Sequence, residues 1–127
     1  MTDRTATCVC GGLTVNTLGE PIKVSACHCL SCQRRTGSAF SVAVFFDRAN
    51  VAVHGAWRSF DRIGDSGRSV DFRFCPRCGS TVLWYPQFRP SWAGVAIGCF
   101  NDRSLQPSQA VYEPCRQSWI DIQLAEV

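Results

Sequence analysis

Methionine occurs once in this chain of 127 residues, at Met1, and lysine once, at Lys23; histidine occurs twice, at His28 and His54. No apolar run approaches the ~20 residues that a membrane-spanning helix needs. The first residues, MTDRTATC, hold no hydrophobic stretch of the kind a secretory signal requires. No membrane role is expected, and the expected compartment is the reducing cytoplasm. Charge is also scarce: 18% of residues are Asp, Glu, Lys or Arg, and the formal net charge is +3. So mild a surplus argues against a nucleic-acid partner, because such partners call for a strongly basic face. A mainly disordered chain is excluded by the 46% apolar and 11% aromatic content. Repeats, low-complexity tracts and linkers are absent, so residues 1–127 read as a single domain, within the usual ~100–150 residues.

What the chain does have is cysteine. There are nine, an odd number that disulfides alone cannot pair within one chain. In a reducing compartment, clustered cysteines more often bind metal. The cations are also unusual in kind, since all but Lys23 are arginines, which suit bidentate contacts to carboxylate or phosphate.

The pattern reads as mainly all-β. Thr5–Cys10 and Leu13–Thr17 flank Gly11-Gly12, a hairpin signal. Ile22–Cys27 follows, and Ala39–Phe46 is apolar on both faces, as a central strand must be. Further strands are expected at Val51–Val53, Trp57–Arg62, Val70–Phe74, Thr81–Tyr85, Val95–Phe100, Ala110–Tyr112 and Trp119–Leu124. Gly64, Asp65, Ser66 and Gly67 supply turn chemistry between two of them. Strands this short, with turns every ten or so residues, predict antiparallel sheets. One short helix is expected at Leu30–Thr36, stopped by Gly37.

Seven cysteines fall in three clusters: Cys8-Val9-Cys10, Cys27-His28-Cys29-Leu30-Ser31-Cys32 and Cys75-Pro76-Arg77-Cys78-Gly79. The third is a zinc knuckle, in which two thiolates three residues apart grip one ion and Gly79 lets the backbone close beneath them. On a strand, Cys8 and Cys10 would share one face and reach the same ion. Together these four make a closed, structural zinc site that clamps distant strands. Cys27, Cys29 and Cys32 are three ligands with no fourth cysteine nearby, which is the composition of an open, catalytic zinc site. A redox CxxC would belong in a βαβ setting, and nothing here reads as βαβ. Cys99 and Cys115 read as ordinary buried thiols. His28 alternates with Cys27 and Cys29 and so points away from their ion.

The motifs CVCGG, CHCLSCQRRTGSAF and RFCPRCGS resemble those of the glutathione-dependent formaldehyde-activating enzyme family, which includes centromere protein V-like proteins. The resemblance spans about Thr7 to Trp119. It implies a zinc-bound β-tent of antiparallel sheets with at most one or two short helices. It also implies two zinc ions per chain, one structural on Cys8, Cys10, Cys75 and Cys78, and one catalytic on Cys27, Cys29 and Cys32. The implied activity is that of an S-(hydroxymethyl)glutathione synthase, a carbon–sulfur lyase joining formaldehyde to glutathione. Arg34, Arg35 and Ser38 are then candidates for contacts with the thiol substrate, with Phe88 and Arg89 as further pocket lining. The chain departs from the family pattern at Asn101, where an Asp is usual, and at Ala110, where a histidine is frequent. The alternative is a non-catalytic, zinc-stabilised binding module for a protein or nucleic acid. A fourth protein ligand at Cys27, Cys29 and Cys32 would favour that reading.

Overall fold

Alternating and doubly apolar segments condense into ten strands and one helix in the computed structural model, which describes residues 2–126. In chain order the strands are β1 (Asp3–Thr7), β2 (Thr14–Leu18), β3 (Lys23–Cys27), β4 (Ser41–Asp47), β5 (Val51–His54), β6 (Arg58–Ile63), β7 (Ser69–Phe74), β8 (Thr81–Pro86), β9 (Trp92–Ala96) and β10 (Gln109–Val111). The helix α1 spans Leu30–Thr36. Three strands form a small sheet in the order β1-β2-β5. The other seven form a large one in the order β10-β3-β4-β9-β8-β7-β6.

The centre of the large sheet is β4, as its sequence SVAVFFD anticipates. All its residues but Asp47 are buried. Period-2 geometry divides them. Val42, Val44 and Phe46 face the small sheet and pack with Ala6, Leu13 and Val15 in the main core. Ala43 and Phe45 face the other way, into an aromatic cluster with Val70, Phe72 and Trp84. Phe46 is fully buried, and burial of a side chain that size contributes about 2–3 kcal/mol. One face of the large sheet therefore makes the core, and the opposite face is left to form a site.

The helix begins and ends where its sequence requires. Cys29 is the N-cap, its sulfur accepting from the Cys32 N–H at 3.3 Å, and Gly37 takes the left-handed conformation (φ 64°) that closes the last turn. Four expectations are corrected. The segment Thr5–Cys10 leaves β1 after Thr7: the Cys8 N–H still meets the Leu13 carbonyl (3.0 Å), but the Gly11 N–H closes a turn on the Cys8 carbonyl (3.1 Å). Cys8 and Cys10 therefore meet through a turn and not along a strand. The strand expected at Val95–Phe100 begins earlier, at Trp92, and gives way to a 3-10 turn at Ile97–Cys99. Not every pairing is antiparallel, since β10 runs parallel to β3 at the sheet edge. Trp119–Leu124 is not a strand. After β10 the chain enters a left-handed residue, Tyr112 (φ 57°), and a 3-10 turn at Glu113–Cys115, which steer it off the sheet edge before a ladder can form. Ile120 alone is buried there, while Trp119 is exposed. Among the described residues, no helix is long and apolar enough to cross a membrane.

Candidate metal centres and the adjoining cleft

Two turns bring the first and third cysteine clusters together. Cys8 and Cys10 come from the turn between β1 and β2, and Cys75 and Cys78 from the turn between β7 and β8. All four sulfurs lie within 4.8 Å of one another. The contacts Cys8–Cys10 and Cys10–Cys75 measure 3.7 and 3.6 Å. Four sulfurs held about 2.3 Å from one tetrahedral zinc ion sit about 3.8 Å apart, so this set fits the ion. A disulfide at about 2.05 Å does not describe these separations, and all nine cysteines are free. The turn is shaped to the sulfurs: a Cβ on Gly12 would lie 3.4 Å from Cys10 Sγ and 3.9 Å from Cys75 Sγ. The Leu13 N–H donates to Cys8 Sγ at 3.2 Å. The hydroxyl and N–H of Ser80, with the N–H of Cys10, hold the Cys78 thiol down at about 5. Because β1 belongs to the small sheet and β7 and β8 to the large one, this centre ties the two sheets together.

The second centre is local. Cys27 ends β3, Cys29 caps α1 and Cys32 lies in its first turn, and their sulfurs again lie within 4.8 Å of one another. Among the described residues no fourth His, Cys, Asp or Glu joins them. Hydrogen bonding from Cys27, then from Cys29, together with the Arg35 guanidinium, holds Cys32 at about 5 against the opposing effect of burial. Cys27 is correspondingly pushed far up by Cys32 and by burial. A sulfur group that already favours a thiolate is suited to a cation. Gln33 braces the turn, its amide donating to the carbonyls of His28 (2.8 Å) and Cys115 (3.2 Å). His28 is fully buried beside Phe40, with ring centroids 6.0 Å apart, and belongs to neither sulfur group.

This centre opens onto a cleft of about 590 Å³ on the free face of the large sheet. Five cations line it, Lys23, Arg35, Arg62, Arg68 and Arg89, against one carboxylate, Asp65. None of the five takes part in an ion pair among the described residues. Arg35 lies over both Phe72 and Trp84, 4.6 Å from each ring centre, and donates to Ser41 Oγ at 2.8 Å. The Arg62 Nε is buried without a hydrogen-bond partner among the described residues. Trp84 can lie flat across the neighbouring strand because its register partner is Gly94.

The candidate substrate residues separate. Arg35 lines the cleft, as do Phe88 and Arg89. Arg34 is exposed on α1 and is not part of the lining. Ser38 lines a different pocket, of about 370 Å³, beside Gly79 and Ser80. Cys99 is half-buried against the core, where burial pushes its thiol up. Cys115 is half-buried too, but in the cleft wall. Ala110 packs on the core side of β10, whereas Gln109 and Val111 line the cleft. The residues sequence reasoning missed are Lys23, Arg62, Arg68 and Tyr112. Tyr112 carried a signal only in retrospect, because a non-glycine in the left-handed region is recognisable from coordinates alone.

Comparison with known proteins agrees with this geometry. The chain matches, over residues 3–115, the family described as glutathione-dependent formaldehyde-activating enzyme. No curated protein matches it. A crystal structure of a Rhodobacter sphaeroides protein is similar in fold, with a TM-score of 0.61 at 20% identity, covering 84% of this chain and 98% of that one. With the family's match running from the first strand to the last turn of the cleft wall, the chain belongs to the glutathione-dependent formaldehyde-activating enzyme family.

Proposed function

We propose that the protein is a zinc-dependent carbon–sulfur lyase resembling S-(hydroxymethyl)glutathione synthase, joining a small aldehyde such as formaldehyde to a thiol such as glutathione. The observation that carries this reading is a three-sulfur group opening onto a cleft with five cations and one carboxylate. Glutathione is a thiol with a carboxylate at each end, which is the chemistry such a cleft recognises. On this reading Cys27, Cys29 and Cys32 hold a catalytic zinc, and Cys8, Cys10, Cys75 and Cys78 hold a structural one. Residues 1–127 act as one domain, in a cytoplasm that keeps the thiols reduced.

A zinc ion at the three-sulfur group supplies positive charge that stabilises a thiolate at neutral pH. The remaining work falls to the chain. Arg35 and Arg62 take the substrate carboxylates, because both line the cleft and neither pairs with a protein carboxylate among the described residues, whereas Arg34 is exposed outside it and Ser38 lines the neighbouring pocket. The floor of the cleft keeps the thiol and aldehyde together and excludes water. Carbon–sulfur bond formation moves the carbonyl π pair onto oxygen, which must take up a proton. Tyr112, which lines the same cleft as Cys27, Cys29 and Cys32, is the donor.

Exchange spectroscopy on glutathione and formaldehyde tests this. Zinc-loaded protein is expected to accelerate interconversion, Cys29→Ser to abolish the acceleration, and Tyr112→Phe to lower kcat more than it changes KM. No acceleration, or equal acceleration by Cys29→Ser, refutes the synthase reading. The alternative of a zinc-stabilised binding module needs no open ligand position. The three-membered sulfur group and its cleft support the enzyme over the module.

A further inference from the structure

Period-2 geometry orders the cleft floor into rows running across the large sheet. The row nearest the sulfurs is Cys27 and Ser41, which are register partners. Four residues back along β3, Lys23 pairs with Phe45, and Phe45 with Gly94. That displacement is about 13 Å at the usual strand rise of ~3.3 Å per residue. At this far end Phe45 and Trp92 pack with ring centroids 5.2 Å apart. Arg89 lies over Trp92 at 5.4 Å, and Phe88 is 46% exposed in the wall. Lys23 and Arg89 are exposed, and neither takes part in an ion pair among the described residues.

This far end does not serve a single-carbon aldehyde, which would occupy only the sulfur end. Nor does it suit the polar body of glutathione, which offers no ring to an aromatic wall. Clefts of this size hold drug-sized molecules. Aromatic walls recognise planar rings, and unpaired cations recognise acids.

We propose that the far end of the cleft is a subsite for an aromatic acid, and that the carbonyl co-substrate is an aromatic aldehyde carrying a carboxylate. Its ring lies against Phe45, Phe88 and Trp92, its carboxylate meets Lys23 and Arg89, and its aldehyde points toward Cys27. The reaction is the same addition: the thiol sulfur bonds to the aldehyde carbon, the carbonyl π bond breaks, and one proton ends on the new hydroxyl. No oxidant or reductant is consumed. The assignment of the aldehyde rests on the synthase reading, but the subsite does not.

The test has two arms, both on the zinc-loaded protein. In the first, tryptophan fluorescence is titrated with 4-methylbenzoate, which has the ring and acid but no aldehyde. Saturable quenching is expected. It should weaken about tenfold in a Lys23→Gln/Arg89→Gln double variant, the loss expected for a charge-assisted contact, and should persist with glutathione present. Absence of saturable quenching, indifference to the double variant, or displacement by glutathione overturns the subsite. In the second arm, kcat/KM with glutathione is compared for 4-formylbenzoate and formaldehyde. The ratio should favour 4-formylbenzoate and fall about tenfold in the double variant. Turnover of formaldehyde with no preference for 4-formylbenzoate overturns the aldehyde assignment and leaves the synthase reading standing. Cation-dependent binding of 4-methylbenzoate without turnover of either aldehyde supports the subsite and refutes the synthase reading.

Discussion

Gly94→Ala adds one methyl group to β9, and the structure says where it would go. The new Cβ would lie 2.4 Å from Trp84 Nε1 and 2.9 Å from both Cδ1 and Cε2. Trp84 is not the loose end of a flexible side chain. It is 5% exposed, packs on Phe72 with centroids 5.5 Å apart, and carries the Arg35 guanidinium on its face. Either the indole or the strand must move, and overpacking of this kind costs about 1–3 kcal/mol. For a chain of this length each kcal/mol corresponds to about 4 °C in Tm, so a fall of roughly 4–12 °C is expected. The assay is thermal unfolding at saturating zinc, with metal content measured to confirm that the sulfur centres are intact. Gly98→Ala is the control, because a Cβ there meets nothing within 4 Å. Since Trp84 supports Arg35, Gly94→Ala should also raise KM for glutathione. A variant that melts with the control and leaves KM unchanged would show that the Trp84–Gly94 crossing is soft, and would refute the description of the cleft floor as a rigid platform for Arg35.

Arg35→Gln should raise KM for glutathione about tenfold or more, through loss of a charge-assisted contact, whereas Arg34→Gln should not, and steady-state kinetics on both variants check the contrast. Metal analysis should find two zinc ions per chain, and Cys75→Ser should lose one and lower Tm, because its sulfur helps tie the two sheets together; retention of both ions would dissolve the four-plus-three division of sulfurs. Arg4 is buried and pairs with Asp102 at 2.7 Å. Ser104, then Arg4, holds Asp102 at about 2, below its ordinary ~3.9. A depressed carboxylate contributes stability above its unfolded value and loses it as pH falls through the folded one. The stability difference between the native chain and Asp102→Asn should therefore narrow between about pH 5 and pH 2. Denaturant unfolding at a series of pH values checks it, and a constant difference would contradict the ion-pair account.

Much of the fold was legible where local chemistry decides it. The limits of α1 follow from a cap and a left-handed glycine within one short segment, and both lie where the sequence puts them. The doubly apolar run of β4 identified the central strand without knowledge of its neighbours. The last expected strand was not realised although Trp119–Leu124 alternates in hydropathy. A strand needs an edge to pair with, and the conformation of Tyr112, invisible in composition, turns the chain away from it. The parallel pairing of β10 with β3 was equally hidden, because it joins segments more than eighty residues apart in sequence.

The sulfur centres and the cleft mark the boundary between the two kinds of information. Metal ligands must lie within a few ångströms of one ion, so evolution of a site leaves short, fixed spacings, and Cys27, Cys29, Cys32 and the knuckle at Cys75 and Cys78 are readable as such. The sequence by itself also divided seven sulfurs into four and three, and the coordinates bring together those same two groups. Cleft charge obeys no such rule. Lys23, Arg35, Arg62, Arg68 and Arg89 come from separate elements and converge only because seven strands pair in one order and twist one face inward. The same is true of the choice of Arg35 over Arg34, which are adjacent in sequence: helical periodicity turns one into the cleft and the other into solvent. The candidate ligand spacings are local and therefore written in the chain, whereas the lining of the cleft depends on how distant side chains meet, and only the tertiary structure decided it.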